Sequence, residues 1–385
     1  MTVDFGDEIL VPNGDVRDFG VVACDQFTAD PEYWRLLEKS LPRGSALDLI
    51  LPECFLSEAS VRLEQIKKSA SSMLASDRFT AYRGAIFVTR NTTYGRTRHG
   101  IVASVDLDDY DYKVGAKPLI RASERTIEER IPPRVAIREA IDIELPHILL
   151  LVDDRDDLLM NACRNAPKRT VYDGELSGNG GHIKGELIEG KDTVELQTAV
   201  QNIISASVSK FGERLFALVG DGNHSLATAK YCSVNNSTPL NGRALVEIVN
   251  IYDEGLIFEP IHRLVQTDDP VMFMDSLRSA VKGAAKTTVY APDPIEISVP
   301  SDKIEALIAI DKFCETFVKH FGGSIEYVHG VDALKKERHF GIEMRGIRKE
   351  ELFGYVVKNG VLPKKTFSLG EAEEKRYYIE ARKIK

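Results

Sequence analysis

One segment, ALVGDGNHSLATAK, combines residues that can do chemistry with a position where chemistry is common. Small and apolar residues lead into Asp221 and Gly222, and Asn223, His224 and Ser225 then open a run of helix formers. This order predicts a strand, a glycine turn and a helix, with the free N–H groups of the helix start at the carboxyl end of the strand. Such N–H groups carry about half a positive charge and bind anions.

The residue types at this turn fit phosphate chemistry. Asp221 could hold a divalent ion such as Mg²⁺ or act as a base, and His224 could donate to a phosphate or move a proton near neutral pH. We therefore take Asp221 and His224 as candidate catalytic residues, and Gly222, Asn223 and Ser225 as candidate phosphate ligands. A purely structural interpretation also fits, with a turn at Asp221-Gly222 and Asn223 as the helix cap. Spacing alone leaves both open.

A glycine-rich stretch, YDGELSGNGGHIKG, predicts a β-hairpin whose tip could close over an anion. Its candidate ligands are Gly180, Gly181 and His182. The chain contains neither a Walker A loop nor a dinucleotide fingerprint, so the stretch is not a known phosphate motif. The alternative is an ordinary turn between two exposed strands.

Two basic groups could offset the charge of a phosphate. Arg121 follows an apolar strand and is the best single candidate of an arginine-dense segment. Acidic residues are interspersed there, which favours a solvated, ion-paired helix face; the other arginines are Arg125, Arg130, Arg134 and Arg138. In the tail, Lys364 and Lys365 precede the hydroxyl of Thr366, and this group could hold a phosphate or form a solvated lysine pair.

Metal chemistry has few candidates in this chain. Besides Asp221, Glu247 could ligate Mg²⁺, although a lone glutamate in an alternating strand more often faces solvent. No H-E-x-x-H pair and no Cys/His cluster occurs, so nothing indicates zinc, haem or an iron–sulfur cluster. The five cysteines are scattered without a C-x-x-C pair and are typical of reduced thiols.

The elements that must position these residues alternate between strands and helices. The residue patterns predict strands at 21–24, 46–51, 84–89, 101–107, 147–152, 215–219 and 245–252, and helices from 31, at 57–76, at 196–211 and from 225. This order predicts an α/β or α+β fold with mixed sheets and flanking helices. We expect a main α/β domain over residues 1–270 and a smaller C-terminal α/β portion over residues 271–385, whose tail returns to the site.

Composition excludes several classes of function. The 385-residue chain has 59 acidic and 50 basic side chains and a net charge of −9, which argues against bulk electrostatic binding of nucleic acid. No stretch approaches the ~20 apolar residues of a membrane helix. The acidic N-terminus lacks the features of a signal peptide, so we expect a cytoplasmic protein. The sequence does not indicate an oligomeric state.

Six stretches together resemble a widespread bacterial and archaeal family of uncharacterised proteins, domain of unknown function 1015. They span nearly the full chain: VVACDQFTADPEYW, IRASERTIEERIPPRVAIRE, YDGELSGNGGHIKG, GDGNHSLATAK, VNIYDEGLIFEPIHR and LPKKTFSLGEAEEKRYY. The family's Asp-Gly-x-His-Arg element is similar to one in the ParB/sulfiredoxin superfamily. That superfamily includes nucleotide-hydrolysing partition proteins, sulfiredoxin and a free-serine kinase.

This second resemblance implies that the residues from Asp221 to Ser225 bind nucleotide phosphates. The arginine of the element is replaced here by Ser225, which removes a phosphate fork and bears on catalysis more than on binding. The superfamily's other catalytic carboxylate lies nearer the N-terminus, where Asp25 in CDQFT is a candidate.

Two functions fit these residues. The first is a nucleotide-dependent phosphotransferase of the small-molecule kinase type, or a nucleotide hydrolase, that uses ATP or ADP with Mg²⁺. The alternative is a non-catalytic sensor that binds a nucleotide or phosphate ligand, which the serine at position 225 favours. In both, the partner is a small molecule or nucleotide and not nucleic acid.

Overall fold

The computed structural model describes residues 1–28, 30–128, 131–235, 238, 240–267, 269–291, 293–336 and 339–385. The chain forms two compact units: residues 1–256 together with 372–385, and residues 257–371. The division therefore falls at residue 256 and not at the predicted 270, and the end of the chain belongs to the first unit.

The first unit is a mixed α/β structure. Its strands are β1 (Val3–Asp4), β2 (Glu8–Pro12), β3 (Val21–Val22), β4 (Phe79–Asn91), β5 (Thr97–Asp106), β6 (Tyr110–Asp111), β7 (Ile120–Ala122), β8 (Ile143–Glu144), β9 (Leu149–Val152), β10 (Arg169–Glu175), β11 (His182–Glu189), β12 (Ala217–Asp221), β13 (Arg243–Asn250), β20 (Tyr377–Tyr378) and β21 (Arg382–Lys383). Its helices are α1 (Val16–Phe19), α2 (Pro31–Ser40), α3 (Ala59–Ala75), α4 (Ile131–Ala140), α5 (Leu158–Asn165), α6 (Val194–Phe211) and α7 (Asn223–Asn235).

One large sheet organises this unit. Within the described residues its strand order is β10-β11-β4-β5-β13-β9-β12-β7-β6, with β1 added to β5 and β2 added to β4. The pairs β13–β9, β12–β7 and β6–β7 are parallel and the others are antiparallel, so the sheet is mixed. The predicted fold class is confirmed.

The sheet separates two hydrophobic cores. Successive side chains of a strand point to opposite faces, and on β5 Ile101 belongs to one core while Val102 belongs to the other. Helices α5, α6 and α7 cover the first core, where Leu226 is fully buried. Helices α2 and α3 cover the second core, to which α2 contributes Trp34 and the end of the chain contributes Tyr378.

The second unit has its own sheet and core. It contains β14 (Phe258–Gln266), β15 (Ala285–Tyr290), β16 (Pro294–Val299), β17 (Ser324–His329), β18 (His339–Ile342), β19 (Phe367–Leu369), α8 (Pro270–Ala280), α9 (Lys303–Phe321) and α10 (Leu352–Asn359). The strand order is β16-β15-β18-β14-β17, and β19 pairs with β14. Phe273 anchors the core, with its ring 5.1 Å from that of Phe317 and 4.7 Å from that of Phe340.

Most predicted elements of the first unit are confirmed. Asp30 caps α2 by accepting from the N–H of Tyr33, as its place before Pro31 predicts. The predicted strand over residues 46–51 is wrong, because this segment begins as a 3-10 helix at residues 46–49. Asp48 accepts from the N–H of Gly44 at 2.7 Å, and such a local side-chain bond favours a turn over a strand.

The chain end is built into the first unit. Strand β20 pairs with β3, β21 pairs with β8, and Ala381 exchanges two backbone hydrogen bonds with Leu10. Across residues 1–28, 30–128, 131–235 and the later described segments, no helix is long and apolar enough to cross a membrane. All five cysteines are free thiols.

Acid should weaken the attachment of β21 through Glu144. Burial alone would raise the pKa of this carboxyl, but Arg138 and Arg382 outweigh burial and hold its pKa below the usual 4.5. The stabilisation is therefore present above about pH 4.5 and is lost as the pH falls through the lower pKa of the folded state. We expect Glu144→Gln to lower the free energy of unfolding, measured with urea, and we expect this loss to shrink below pH 4.5. An exposed control, Glu195→Gln, should show no such pattern, and a deficit independent of pH would contradict the ion-pair explanation.

Candidate functional site

The predicted turn lies where β12 ends and α7 begins. Gly222 adopts a φ of +79°, and its N–H donates to Asp221 Oδ1 at 2.8 Å. The Gly222 carbonyl accepts from the N–H of Leu226 at 3.0 Å, which starts the helix. A Cβ at position 222 would lie 2.9 Å from the Cα of Ile148. Glycine is therefore required here both by the backbone angle and by the closeness of the residue before β9.

Replacing Gly222 with alanine should lower the free energy of unfolding by about 1–3 kcal/mol, from the left-handed backbone and the contact with Ile148 together. Gly212 is the matched control, because its φ is +75° but nothing lies within 4 Å of its added Cβ. Urea unfolding should show a smaller loss for Gly212→Ala than for Gly222→Ala. Equal losses would show that the close approach to Ile148 has no energetic weight.

A lysine from the chain end lies beside the turn. Lys375 Nζ is 3.5 Å from Asp221 Oδ2, and the two side chains are only 9% and 19% exposed. The main-chain carbonyl of Lys375 accepts from Arg90, which fixes this part of the tail. The site thus combines an ammonium group, a carboxylate and the N-terminus of α7. The sequence pattern predicts Lys364 and Lys365 of the same tail as ligands and does not indicate Lys375.

The next two residues of the turn have different surroundings. His224 Nε2 accepts from the N–H of Ile127 at 3.1 Å, so in this arrangement the nitrogen is used as an acceptor and does not donate to a ligand. The interaction ties the segment after β7 to the first turn of α7. Asn223 Oδ1 is buried and has no hydrogen-bond partner among the described residues. The side chain of His224 therefore has a structural use, whereas that of Asn223 is incompletely bonded.

A cavity of about 120 Å³ opens behind the first turns of α7. Ser225, Thr228 and Ile148 line it, as do residues of α4, the helix that packs against α7. His147 and Tyr378 also line it, and their Nδ1 and Oη atoms are 2.7 Å apart. Ser225 thus faces a space that the sequence did not predict.

Cys24 and the predicted carboxylate Asp25 lie at the same end of the first unit. Cys24 lines the cavity, and its N–H donates to Tyr378 Oη at 3.3 Å. Burial raises the pKa of the Cys24 thiol to about 11, so the thiol stays protonated at neutral pH and is a poor nucleophile. Asp25 Oδ1 accepts from the side chain of Gln26 at 3.0 Å. A role for Asp25 as second catalytic carboxylate stays a prediction.

The glycine-rich hairpin holds the chain end instead of presenting an open tip. The Gly180 carbonyl accepts from Arg90 Nε at 2.9 Å, and a Cβ on Gly180 would lie 2.6 Å from the ring of Tyr377. Gly181 has a φ of +77° and packs on the backbone of the adjacent strand. His182 Nε2 lies 2.9 Å from a carboxylate oxygen of Asp173 across the hairpin. These contacts favour the structural alternative for Gly180, Gly181 and His182.

Arg121 forms its contacts near the N-terminal end of β12, away from the turn. Its Nη1 donates to Glu213 Oε1 at 2.7 Å, and its Nε donates to the carbonyl of Pro118 at 3.1 Å. The hydrogen bond from Arg121 Nη1 holds the pKa of the Glu213 carboxyl below its usual value. Arg121 is thus an ion-pair partner of Glu213 and not part of the turn, and its role as a phosphate ligand stays a prediction. Of the other arginines, Arg134 pairs with Glu53 and Arg138 with Glu144, while Arg130 lies outside the described residues.

Glu247 is buried beside two arginines. Its side chain is 4% exposed and lies between Arg376, at 3.1 Å, and Arg98, at 3.5 Å. The expectation that this glutamate faces solvent is wrong because β13 lies inside the sheet, between β5 and β9, where a carboxylate needs cationic partners. A role for Glu247 as a Mg²⁺ ligand stays a prediction. Among the residues that the structure describes, no group of three or more His, Cys, Asp or Glu could hold a metal ion.

The family model Protein of unknown function (DUF1015) matches residues 8–374. The chain belongs to this family. A comparison with curated proteins gives no match. The DUF1015 chain is also similar to several solved structures. A conserved hypothetical protein from Pyrococcus furiosus is 11% identical, with a TM-score of 0.37 over 72% of this chain and 90% of that chain.

Two further solved structures are similar to this chain. A free serine kinase in complex with AMP is 13% identical, with a TM-score of 0.38 over 74% of this chain and 91% of that chain. SbnI with a C-terminal truncation, from Staphylococcus aureus, is 12% identical, with a TM-score of 0.39 over 70% of this chain and 82% of that chain.

The remaining predicted ligands of this DUF1015 protein belong to the second unit. Lys364 Nζ is 3.2 Å from Glu315, and Thr366 Oγ1 donates to the carbonyl of Pro363 at 2.7 Å. Lys365 has a φ of +58°, and its carbonyl accepts from Arg263 at 3.1 Å. Their role in phosphate binding stays a prediction.

Proposed function

We propose that the turn from Asp221 to Ser225, together with Lys375, binds the phosphate groups of a nucleotide, and that the protein transfers a phosphoryl group to a small molecule. The observation that carries the proposal is the position of Lys375. A largely buried ammonium group 3.5 Å from Asp221, at the start of a 13-residue helix, adds its charge to the positive potential of the helix N-terminus. The resemblance of the Asp-Gly-x-His element to a nucleotide-binding element adds weight to this choice of ligand.

The chemistry assigned to the site is a simple displacement. Asp221 accepts the proton of an acceptor hydroxyl, whose oxygen bonds to the terminal phosphorus of ATP or ADP. The bond from that phosphorus to the bridging oxygen breaks, and the nucleotide leaves with one phosphate fewer. Lys375 and the N–H groups of α7 stabilise the charge on the phosphoryl oxygens, which is the main requirement of phosphoryl transfer. With water as acceptor, the same groups would make the protein a nucleotide hydrolase.

Mg²⁺ would supply further charge neutralisation if it accompanies the nucleotide. Asp221 is the carboxylate at the turn, and it already contacts Lys375. The protein therefore offers at most a single ligand of this type from the turn, and the phosphates would provide the other anionic ligands, as is common for Mg²⁺.

A second candidate function is ligand binding without turnover. The bond between His224 Nε2 and the N–H of Ile127 favours it, because that nitrogen does not donate to a phosphate. Ser225 favours it as well, because serine lacks the guanidinium fork that binds two phosphate oxygens at once. In this form the protein would be a sensor for a nucleotide or another phosphate ligand.

Thermal melting of the full chain with ATP, ADP, AMP or inorganic phosphate, each with and without Mg²⁺, tests both candidates. A ligand present at about 100 times its Kd adds about 2.7 kcal/mol of stability and raises the melting temperature. A shift together with consumption of the nucleotide supports the phosphotransferase or hydrolase. A shift without consumption, across a panel of hydroxyl-bearing acceptors, supports the sensor. No shift with any of these ligands contradicts both.

A further inference from the structure

The cavity behind α7 has the size of a small organic group. Its volume of about 120 Å³ is close to that of a roughly 150 Å³ protein cavity that holds benzene. Apolar side chains form much of the wall, among them Leu49, Leu51, Ile137 and Ile141. Such a wall favours an apolar ligand body over a water cluster, because an apolar surface gives water few hydrogen-bond partners.

One charged side chain in this wall is incompletely bonded. Arg138 lines the cavity, and its side chain is 13% exposed. Its Nη1 donates to Glu144, but its Nε and Nη2 atoms are buried without a hydrogen-bond partner among the described residues. Glu144 is also shared, since it accepts from Arg382 Nε at 2.9 Å. A buried guanidinium with two unused donors is costly unless a further acceptor completes its bonding.

We infer that this cavity binds a small carboxylic acid with an apolar body, whose carboxylate pairs with Arg138. A planar carboxylate matches the guanidinium fork and accepts two parallel hydrogen bonds. A phosphate group would bring more charge into an apolar space and would lose more solvation. The apolar body would then fill the space between Ile141 and the wall formed by Leu49 and Leu51.

The cavity also adjoins the phosphate-binding turn. Ser225 belongs to the turn and lines the cavity, and Ile148 contacts both Gly222 and the cavity. A carboxylic acid that also carries a hydroxyl group would therefore be the acceptor of the phosphoryl group, with its hydroxyl toward Asp221 and its carboxylate on Arg138, a role that rests on the proposed function. Binding of the acid itself does not depend on that function.

The test is thermal melting of the full chain with benzoate, phenylacetate and 3-methylbutanoate as probes. The uncharged counterparts benzyl alcohol, 2-phenylethanol and 3-methylbutan-1-ol have similar shapes, and sodium chloride controls for ionic strength. We expect at least one carboxylate to raise the melting temperature with saturation, and its alcohol to bind at least about tenfold more weakly, since a charge-assisted pair is worth about 1.5–3 kcal/mol. No shift with any carboxylate, or equal binding of acid and alcohol, would overturn the inference.

Three variants locate the effect. Arg138→Met should abolish the carboxylate shift, and Ile141→Phe should abolish it by filling the cavity while keeping the charge. Arg164→Met removes an arginine that pairs with Asp157 elsewhere in the unit and should leave the shift unchanged. An unchanged shift in Arg138→Met and Ile141→Phe would place the acid elsewhere and contradict the inference.

The same variants separate this inference from the proposed function. Both cavity variants should keep the ADP-induced shift, because neither residue belongs to the turn. Carboxylate binding without any nucleotide binding would uphold the cavity and contradict the phosphotransferase. Nucleotide binding without carboxylate binding would contradict the cavity inference and leave the proposed nucleotide site standing.

Discussion

Replacing Arg376 with methionine should lower the free energy of unfolding by about 3–5 kcal/mol, the usual loss when one partner of a buried ion pair is removed. Arg376 Nε donates to Glu247 at 3.1 Å and its Nη2 donates to Glu380 at 2.9 Å. All three side chains are at most 4% exposed, so the variant leaves two buried carboxylates without their shared cation. Urea unfolding of the full chain measures the change.

Two comparisons make this prediction specific. Arg43→Met removes an arginine that is 95% exposed and pairs with Asp48, so its effect should stay within about 0.5 kcal/mol. The double variant Arg376→Met/Glu380→Gln should be less destabilised than the two single losses added together, because one orphaned charge is neutralised. A loss below about 1 kcal/mol for Arg376→Met would show that the buried charges do not hold the chain end in place.

Replacing Lys375 with methionine should weaken nucleotide binding by about 10- to 100-fold, the value of a charge-assisted hydrogen bond to phosphate. The side chain keeps its length and apolar stem, so the change removes mainly the ammonium group. Asp221 retains the N–H of Gly222 and some exposure, which limits the loss of stability. Titration calorimetry with ADP measures the affinity directly.

The matched control for Lys375→Met is Lys210→Met. Lys210 pairs with Asp153 in the same unit, with its nitrogen 2.5 Å from the carboxylate, and it is far more exposed than Lys375. Its loss should leave the affinity for ADP unchanged, and the affinity of the wild type should fall as salt is added. Equal affinities for wild type and Lys375→Met would remove Lys375 from the site.

The turn could be located from sequence because its signals are local. A buried run that ends at Asp221-Gly222 before helix formers fixes a strand, a turn and a helix within a few residues, and the structure has β12 and α7 there. The glycine requirement at 222 follows from a positive φ and from contact with Ile148. Of these two causes, only the positive φ is indicated by the neighbouring sequence.

The partners of the turn could not be predicted because they are distant along the chain. Lys375 reaches Asp221 only because the chain end pairs with β3 and β8 in the first unit. A signal was present in the tail, since the charged run Glu374-Lys375-Arg376 directly precedes the aromatic pair Tyr377-Tyr378. Charges next to large apolar groups indicate buried ion pairs when the segment packs into a core.

The position of Glu247 shows a second limit of local patterns. An alternating strand predicts one solvent-facing side, as holds for a sheet with one covered face. Here both faces of the sheet are covered by hydrophobic cores, so Glu247 on β13 is buried with arginines. The covering layer on the second face includes the chain end, which local reasoning cannot place.

A crystal structure of the full chain with ADP tests the central claim most directly. We expect the terminal phosphate to lie about 3 Å from main-chain N–H groups at residues 223–225 and from Lys375 Nζ. Density for the phosphate at another place, or no nucleotide at saturating ADP, would contradict the claim that this turn is a phosphate-binding site.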